Sequence, residues 1–140
     1  MLRLPRKLYD EVIAHCQQEY PKEACGILAG RDGTVEQVFA MTNVDNSPIS
    51  YALDPVEHLR VEKQIRQAGL QALAIYHSHT ATQAIPSPVD VARASEPGVE
   101  LLMPDVGYVL VSLQHRASPV MKNYKIRSRQ ILPDELQLID

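Results

Sequence analysis

His77-Ser78-His79 sets two imidazoles two positions apart. Side chains of an extended strand alternate between faces, so both rings project to one side and can reach a single ion. Neutral imidazole nitrogen suits zinc and its neighbours in the first transition row. Asp90 follows 11 positions after His79 and offers an anionic oxygen. Two histidines and one carboxylate leave the fourth position of a tetrahedral zinc open to water, as catalytic sites do. Each piece also has a plainer account. A His-x-His pair alone is weak evidence for a metal, and Ser87-x-x-Asp90 resembles a helix capping box. The two accounts are compatible, because a first-turn Asp90 can face the sheet and leave the cap to Ser87. The other histidines, His15, His58 and His115, fall on expected helices or a turn and read as surface residues. Cys16 and Cys25 are separated by eight residues with no Cys-x-x-Cys motif, which reads as two buried free thiols in a reducing cytoplasm.

The elements that must position these residues can be traced along the chain. Leu8, Val12, Ile13 and Cys16 recur at helical spacing from about Arg6 to Glu19, and Pro21 ends that helix. ACGILAG and TVEQVFAMTNV flank Arg31-Asp32-Gly33 and predict a hairpin. Asp54-Pro55 is an N-cap followed by proline at the first helical position, opening a helix that runs to about Ala68 before Gly69. ALAIYHSH predicts a strand apolar enough at its start to be central, with the histidines at its end. Ser87-Pro88 opens a short helix by the same cap-plus-proline logic. GYVLVSLQ and PVMKNYKIR are two further strands, and residues 128–140 are expected to form a loosely held tail. Helices mixed with strands around one sheet define an α/β class, and 140 residues suit a single domain over 1–140.

Bulk composition limits the partners. With 45% hydrophobic residues the chain can bury a core without disulfide staples. Fourteen basic against 17 acidic residues leave a charge of −3, which gives no footprint for nucleic acid or anionic lipid. Lys122, Lys125, Arg127 and Arg129 read as a solvated strand edge. No apolar run is long enough to span a bilayer, and the first residues lack a secretory signal, so a cytoplasmic protein is expected.

Together, HSHTATQAIPSPVD follows the pattern His-x-His, seven residues, Ser, two residues, Asp. This resembles the JAMM (MPN-plus) metalloproteases. An upstream glutamate belongs to their pattern, and Glu23 in PKEACGILAG stands just before the first apolar strand. The likeness continues through Thr42-Asn43 and YVLVSL, over about residues 6 to 127. It implies the JAMM/MPN fold, cytidine-deaminase-like, with a mixed β-sheet flanked by helices. It also implies Zn2+ held by His77, His79 and Asp90, Glu23 as general base, and Ser87 as hydrogen-bond donor to the developing oxyanion. Without the resemblance Glu23 would read as a solvated acid after a helix. Thr80 stands where many members carry proline directly after the second histidine, which is similar to the bacterial branch acting on ubiquitin-like sulfur carriers. The implied reaction is hydrolysis after the C-terminal Gly-Gly of such a carrier, releasing cysteine or a short extension.

Two other readings compete within the family: a deubiquitinase-like isopeptidase and a non-catalytic scaffold. The chain has little room for the insertions with which ubiquitin-cleaving relatives grip substrates, and degenerate scaffolds lose metal ligands that this chain retains. Outside the family, an amidohydrolase barrel needs about 250 residues, and a structural zinc would want four protein ligands.

Overall fold

A computed structural model describes residues 1–140, the side chains of residues 98 and 100 excepted. In chain order the elements are β1 (Leu2–Pro5), α1 (Arg6–Glu19), β2 (Cys25–Arg31), β3 (Thr34–Met41), α2 (Pro55–Gln67) and β4 (Gln71–His79). They continue with α3 (Pro88–Ala94), α4 (Pro97–Leu102), β5 (Gly107–Ser112), β6 (Val120–Arg127), β7 (Gln130–Asp134) and β8 (Leu136–Ile139). All eight strands join one sheet in the order β7-β6-β5-β4-β2-β3-β1-β8. β4 lies inside it, antiparallel to β2 and parallel to β5. Its residues from Ala74 to His79 are all buried, as a strand covered on both faces must be.

Alternation divides the core in two. Ile27, Ile75, Tyr108 and Leu110 pack with Val61 and Ile65 of α2 on one face. Leu28, Ala74, Tyr76 and Val109 pack with Val12 and Cys16 of α1 on the other. Helices on both faces of a mixed sheet are the expected α/β architecture. α2 is capped as its sequence predicts, with the Asp54 carboxylate accepting from the N–H groups of Val56 and Glu57 and Pro55 opening the helix. The predicted hairpin is β2–β3, turned by Asp32 at φ 50° and Gly33 at φ 77°. At Gly26 a Cβ would overlap the Tyr76 ring and the Phe39 carbonyl oxygen, so glycine there lets the phenol lie against the neighbouring strand.

Two expectations are corrected. Residues 128–140 are no loose tail: β7 pairs antiparallel with β6, and β8 pairs parallel with β1 from Leu2↔Leu136 to Pro5↔Ile139. Ser128 and Arg129 make the intervening turn with φ of 50° and 64°, and Leu136 and Leu138 lean on the α1-side core. His58 is likewise no surface residue. It precedes Val61 and Ile65 on the inward stripe of α2 and is buried. His115 is exposed as expected, and Cys16 and Cys25 are buried free thiols. Among the described residues no helix is long and apolar enough to cross a membrane.

Candidate metal centre

The end of β4 and the first turn of α3 meet at one point. His77 and His79 project from the same face of β4, and both are buried. Asp90 is the third residue of α3. The two Nε2 atoms lie 3.2 Å apart, His77 Nε2 is 3.1 Å from Asp90 Oδ1, and His79 Nε2 is 2.9 Å from Asp90 Oδ2. A tetrahedral zinc with bonds of 2.0–2.1 Å keeps its ligand atoms about 3.3 Å from one another. The donor set and its spacing therefore fit a divalent ion. Among the described residues this is the one cluster of three or more His, Cys, Asp or Glu side chains so arranged.

Neighbours fix the orientation of each donor. His79 Nδ1 lies 2.8 Å from the Gln83 carbonyl oxygen, so Nδ1 carries the proton and the Nε2 lone pair faces the site. The Tyr51 ring stacks on His77 with centroids 4.3 Å apart. Asp90 belongs to a full capping box: the Ser87 hydroxyl accepts from Asp90 N–H, and Asp90 Oδ2 accepts from Ser87 N–H at 2.8 Å. Capping and convergence on the histidines thus coexist at one carboxylate. Ser87, partly exposed, spends its oxygen on the cap while its hydroxyl hydrogen stays available for donation.

The electrostatics follow from burial and proximity. Burial by itself raises the Asp90 pKa, but the two imidazoles and the Ser87 N–H outweigh it and hold the carboxyl well below the usual range. Burial pushes His77 down, with Asp90 opposing in part. For His79 burial also acts downward, yet Asp90 and the Gln83 carbonyl bring the net shift upward.

Glu23, just ahead of β2, is 5% exposed. Its Oε1 is buried with no protein partner among the described residues. Burial pushes its pKa up to about 8, opposed by His79 and reinforced by Asp90 and Asp45. Its carboxyl therefore stands within electrostatic reach of His79 and Asp90. The shift has a direct consequence for the metal-free protein. Between the ordinary value of 4.5 and about 8, the folded chain holds a proton that the unfolded chain has released. Stability therefore falls as pH rises across that window, by at most about 1.4 kcal/mol per pH unit from this group. Glu23→Gln removes that slope. Thermal melts of the metal-free proteins should agree near pH 5 and diverge by pH 8, with the wild type lower. Parallel curves would exclude Glu23 as the titrating group.

Of the five residues that the sequence singles out, the structure brings His77, His79 and Asp90 to one point, sets Ser87 against Asp90, and leaves Glu23 within electrostatic reach of His79 and Asp90. It adds residues that no local pattern marks. Tyr51 comes from the loop after β3. Asn43 donates from Nδ2 to the carbonyls of Glu23 and Ser50, and its Oδ1 accepts from the N–H groups of Asp45 and Ala52. These partners are set by three-dimensional contact, and only Thr42-Asn43 carried any signal in advance.

A mixed sheet carrying a buried His-His-Asp cluster, with a buried glutamate in its electrostatic reach that lacks a partner at Oε1 among the described residues, defines a metallohydrolase class. The chain belongs to the prokaryotic homologs of the JAB domain, whose profile matches residues 5–131. It is 36% identical over 135 residues to the CysO-cysteine peptidase of Mycobacterium tuberculosis, covering 95% of this chain and 88% of that one. It is 44% identical over 95 residues to a probable TtuB-protein conjugate cleaving protease of Thermus thermophilus, covering 67% and 64% of the two chains. The solution structure of a Desulfitobacterium hafniense protein, 36% identical, matches with a TM-score of 0.87 over 100% of this chain and 94% of that one.

Proposed function

We propose that this JAMM-type hydrolase cleaves the amide bond after the C-terminal Gly-Gly of a ubiquitin-like sulfur-carrier protein, releasing cysteine or a short extension. Zinc is the proposed ion, held by His77, His79 and Asp90. The observation that supports this most is the meeting of three side chains, with the two imidazole nitrogens and the Asp90 oxygens 2.9–3.2 Å apart, and a buried glutamate within their electrostatic reach whose Oε1 has no partner among the described residues. The name of the mycobacterial relative supports the substrate class. With free thiols at Cys16 and Cys25, a cytoplasmic setting is the matching proposal.

Zinc, when bound, supplies a Lewis acid that polarises the scissile carbonyl and acidifies water. The chain's own residues do the rest. Glu23 takes the proton of the attacking water and passes it to the leaving amine, which requires it to be ionised at the start. A carboxyl held near neutrality releases that proton easily in the second step. Ser87 donates its hydroxyl hydrogen to the oxygen that gains charge. The carrier tail lies extended beside the site, and its glycines allow close backbone approach.

A second reading, isopeptide cleavage of a carrier joined to another protein, is favoured by the name of the Thermus relative. One experiment separates the two. The zinc-loaded protein is incubated with a Gly-Gly carrier extended by cysteine, and with the same carrier conjugated to a protein lysine, and masses are followed. Loss of cysteine with a new Gly-Gly terminus is the expected result. Cleavage of the conjugate alone would favour the second reading, and no cleavage of either would defeat both. A carrier ending Ala-Ala should be cut far more slowly; equal rates would remove the close-approach argument.

A further inference from the structure

Ser78 stands between His77 and His79 yet is turned away from them. Strand alternation sends its side chain to the α1 face of β4, where the residue is fully buried at 0% exposure. There its Oγ accepts a hydrogen bond from the Ala24 N–H at 2.8 Å, and its own N–H donates to the Ala24 carbonyl at 3.1 Å. The Cys16 thiol of α1 reaches the same hydroxyl. Ala24 directly follows Glu23. The backbone of Glu23 is itself occupied on both sides: its N–H donates to the Ser47 carbonyl at 2.9 Å, and its carbonyl accepts from Asn43 Nδ2 at 3.0 Å. Every polar backbone atom from Glu23 to Ala24 is therefore committed. The Ala24 N–H is the one held by a side chain of the histidine-bearing strand.

We infer that Ser78 is a positioning residue that locks the backbone beneath Glu23 to the strand carrying His77 and His79. The inference rests on the reading of Glu23 as the proton-transferring base. Its physical basis is a matter of tolerance. Among the described residues the Glu23 carboxyl has no protein partner at Oε1 to hold it in place, so its position is inherited from its main chain. A displacement near 1 Å at a reacting group can cost on the order of a hundredfold in rate. The Ser78 N–H to Ala24 carbonyl bond joins the two backbones on one side, and the hydroxyl adds the bond on the N–H side next to Glu23, so that base and ion-binding donors move as one body. Asn43 and Ser47 tie the same segment to the loop after β3, and so cannot supply that registry with β4.

The test measures cleavage of the carrier–cysteine substrate, together with zinc content, for five proteins. These are the wild type, Ser78→Ala, Ser78→Thr, Glu23→Gln, and the Ser78→Ala/Glu23→Gln double variant. Ser78→Ala is expected to keep its zinc and its KM and to lose at least about tenfold in kcat. Ser78→Thr retains the hydroxyl and is expected to stay within about threefold of wild type. On the Glu23→Gln background, removing the serine hydroxyl should lower the residual rate no further, because its effect travels through the carboxylate. A wild-type kcat in Ser78→Ala, an equal loss on the Glu23→Gln background, or a threonine variant as impaired as alanine would each overturn the inference. A zinc-loaded wild type that cleaves nothing would overturn the reading of the reaction and this inference with it. A cleaving wild type beside an unimpaired Ser78→Ala overturns the inference alone.

Discussion

Glu23→Gln is expected to lower kcat by about 10²–10⁴-fold while metal content stays at one ion per chain. Glutamine matches glutamate in size and can occupy the same buried place, 5% exposed, but cannot accept a proton from water. The three converging donors are untouched, because Glu23 is not among them. KM should change little, since the loss is confined to the transition state. Elemental analysis beside steady-state kinetics checks the result. A variant that loses both ion and activity would show that Glu23 serves in metal binding, and a variant of full activity would end its assignment as base.

Asp90→Ala is expected to have the larger effect, abolishing measurable cleavage together with tight metal binding. The carboxylate offers one oxygen toward each histidine, 3.1 and 2.9 Å away. Without it two neutral imidazoles remain, too few donors for a catalytic site. The same substitution removes the carboxylate half of the α3 capping box, which costs about 1 kcal/mol of stability. Isothermal titration with zinc should show the affinity fall by at least about a hundredfold, and the melting temperature should no longer rise on adding zinc. The metal-free variant should remain folded, with its melting temperature a few degrees below that of metal-free wild type. Undiminished zinc affinity would exclude Asp90 as a ligand.

Much of the centre was legible because its geometry is local. Two-residue alternation on ALAIYHSH suffices to turn His77 and His79 the same way, and Ser87-Pro88 announces the turn that presents Asp90. Glu23 was not legible from residue types. An acid after a helix and before a strand is ordinarily solvated, and only the family pattern singled it out. Its main chain is held by Asn43 and Ser47 from the loop after β3, contacts which no periodicity encodes. The same limit explains the fold errors. β1 has four residues and ends in Pro5, and β7 includes Pro133. β8 becomes a strand by pairing with β1 at the opposite end of the chain. Partners that distant leave no mark in a short window. His58 departs from its surface reading because the inward stripe of α2 includes two polar residues, His58 and Glu62, beside Val61 and Ile65, and hydrophobic spacing alone cannot assign them inward.

The donors sit on backbone that is already paid for by its own hydrogen bonds: the histidines on an interior strand, the aspartate inside a capping box. A socket assembled in this way is separable from its contents. Unlike a zinc finger, whose folding depends on its ion, such a polypeptide can be synthesised bare, charged afterwards, stripped and recharged without passing through an unfolded state. For the lineage, one mutated ligand would end catalysis and leave the architecture standing, so an enzyme of this kind lies a single substitution from a protein that only binds.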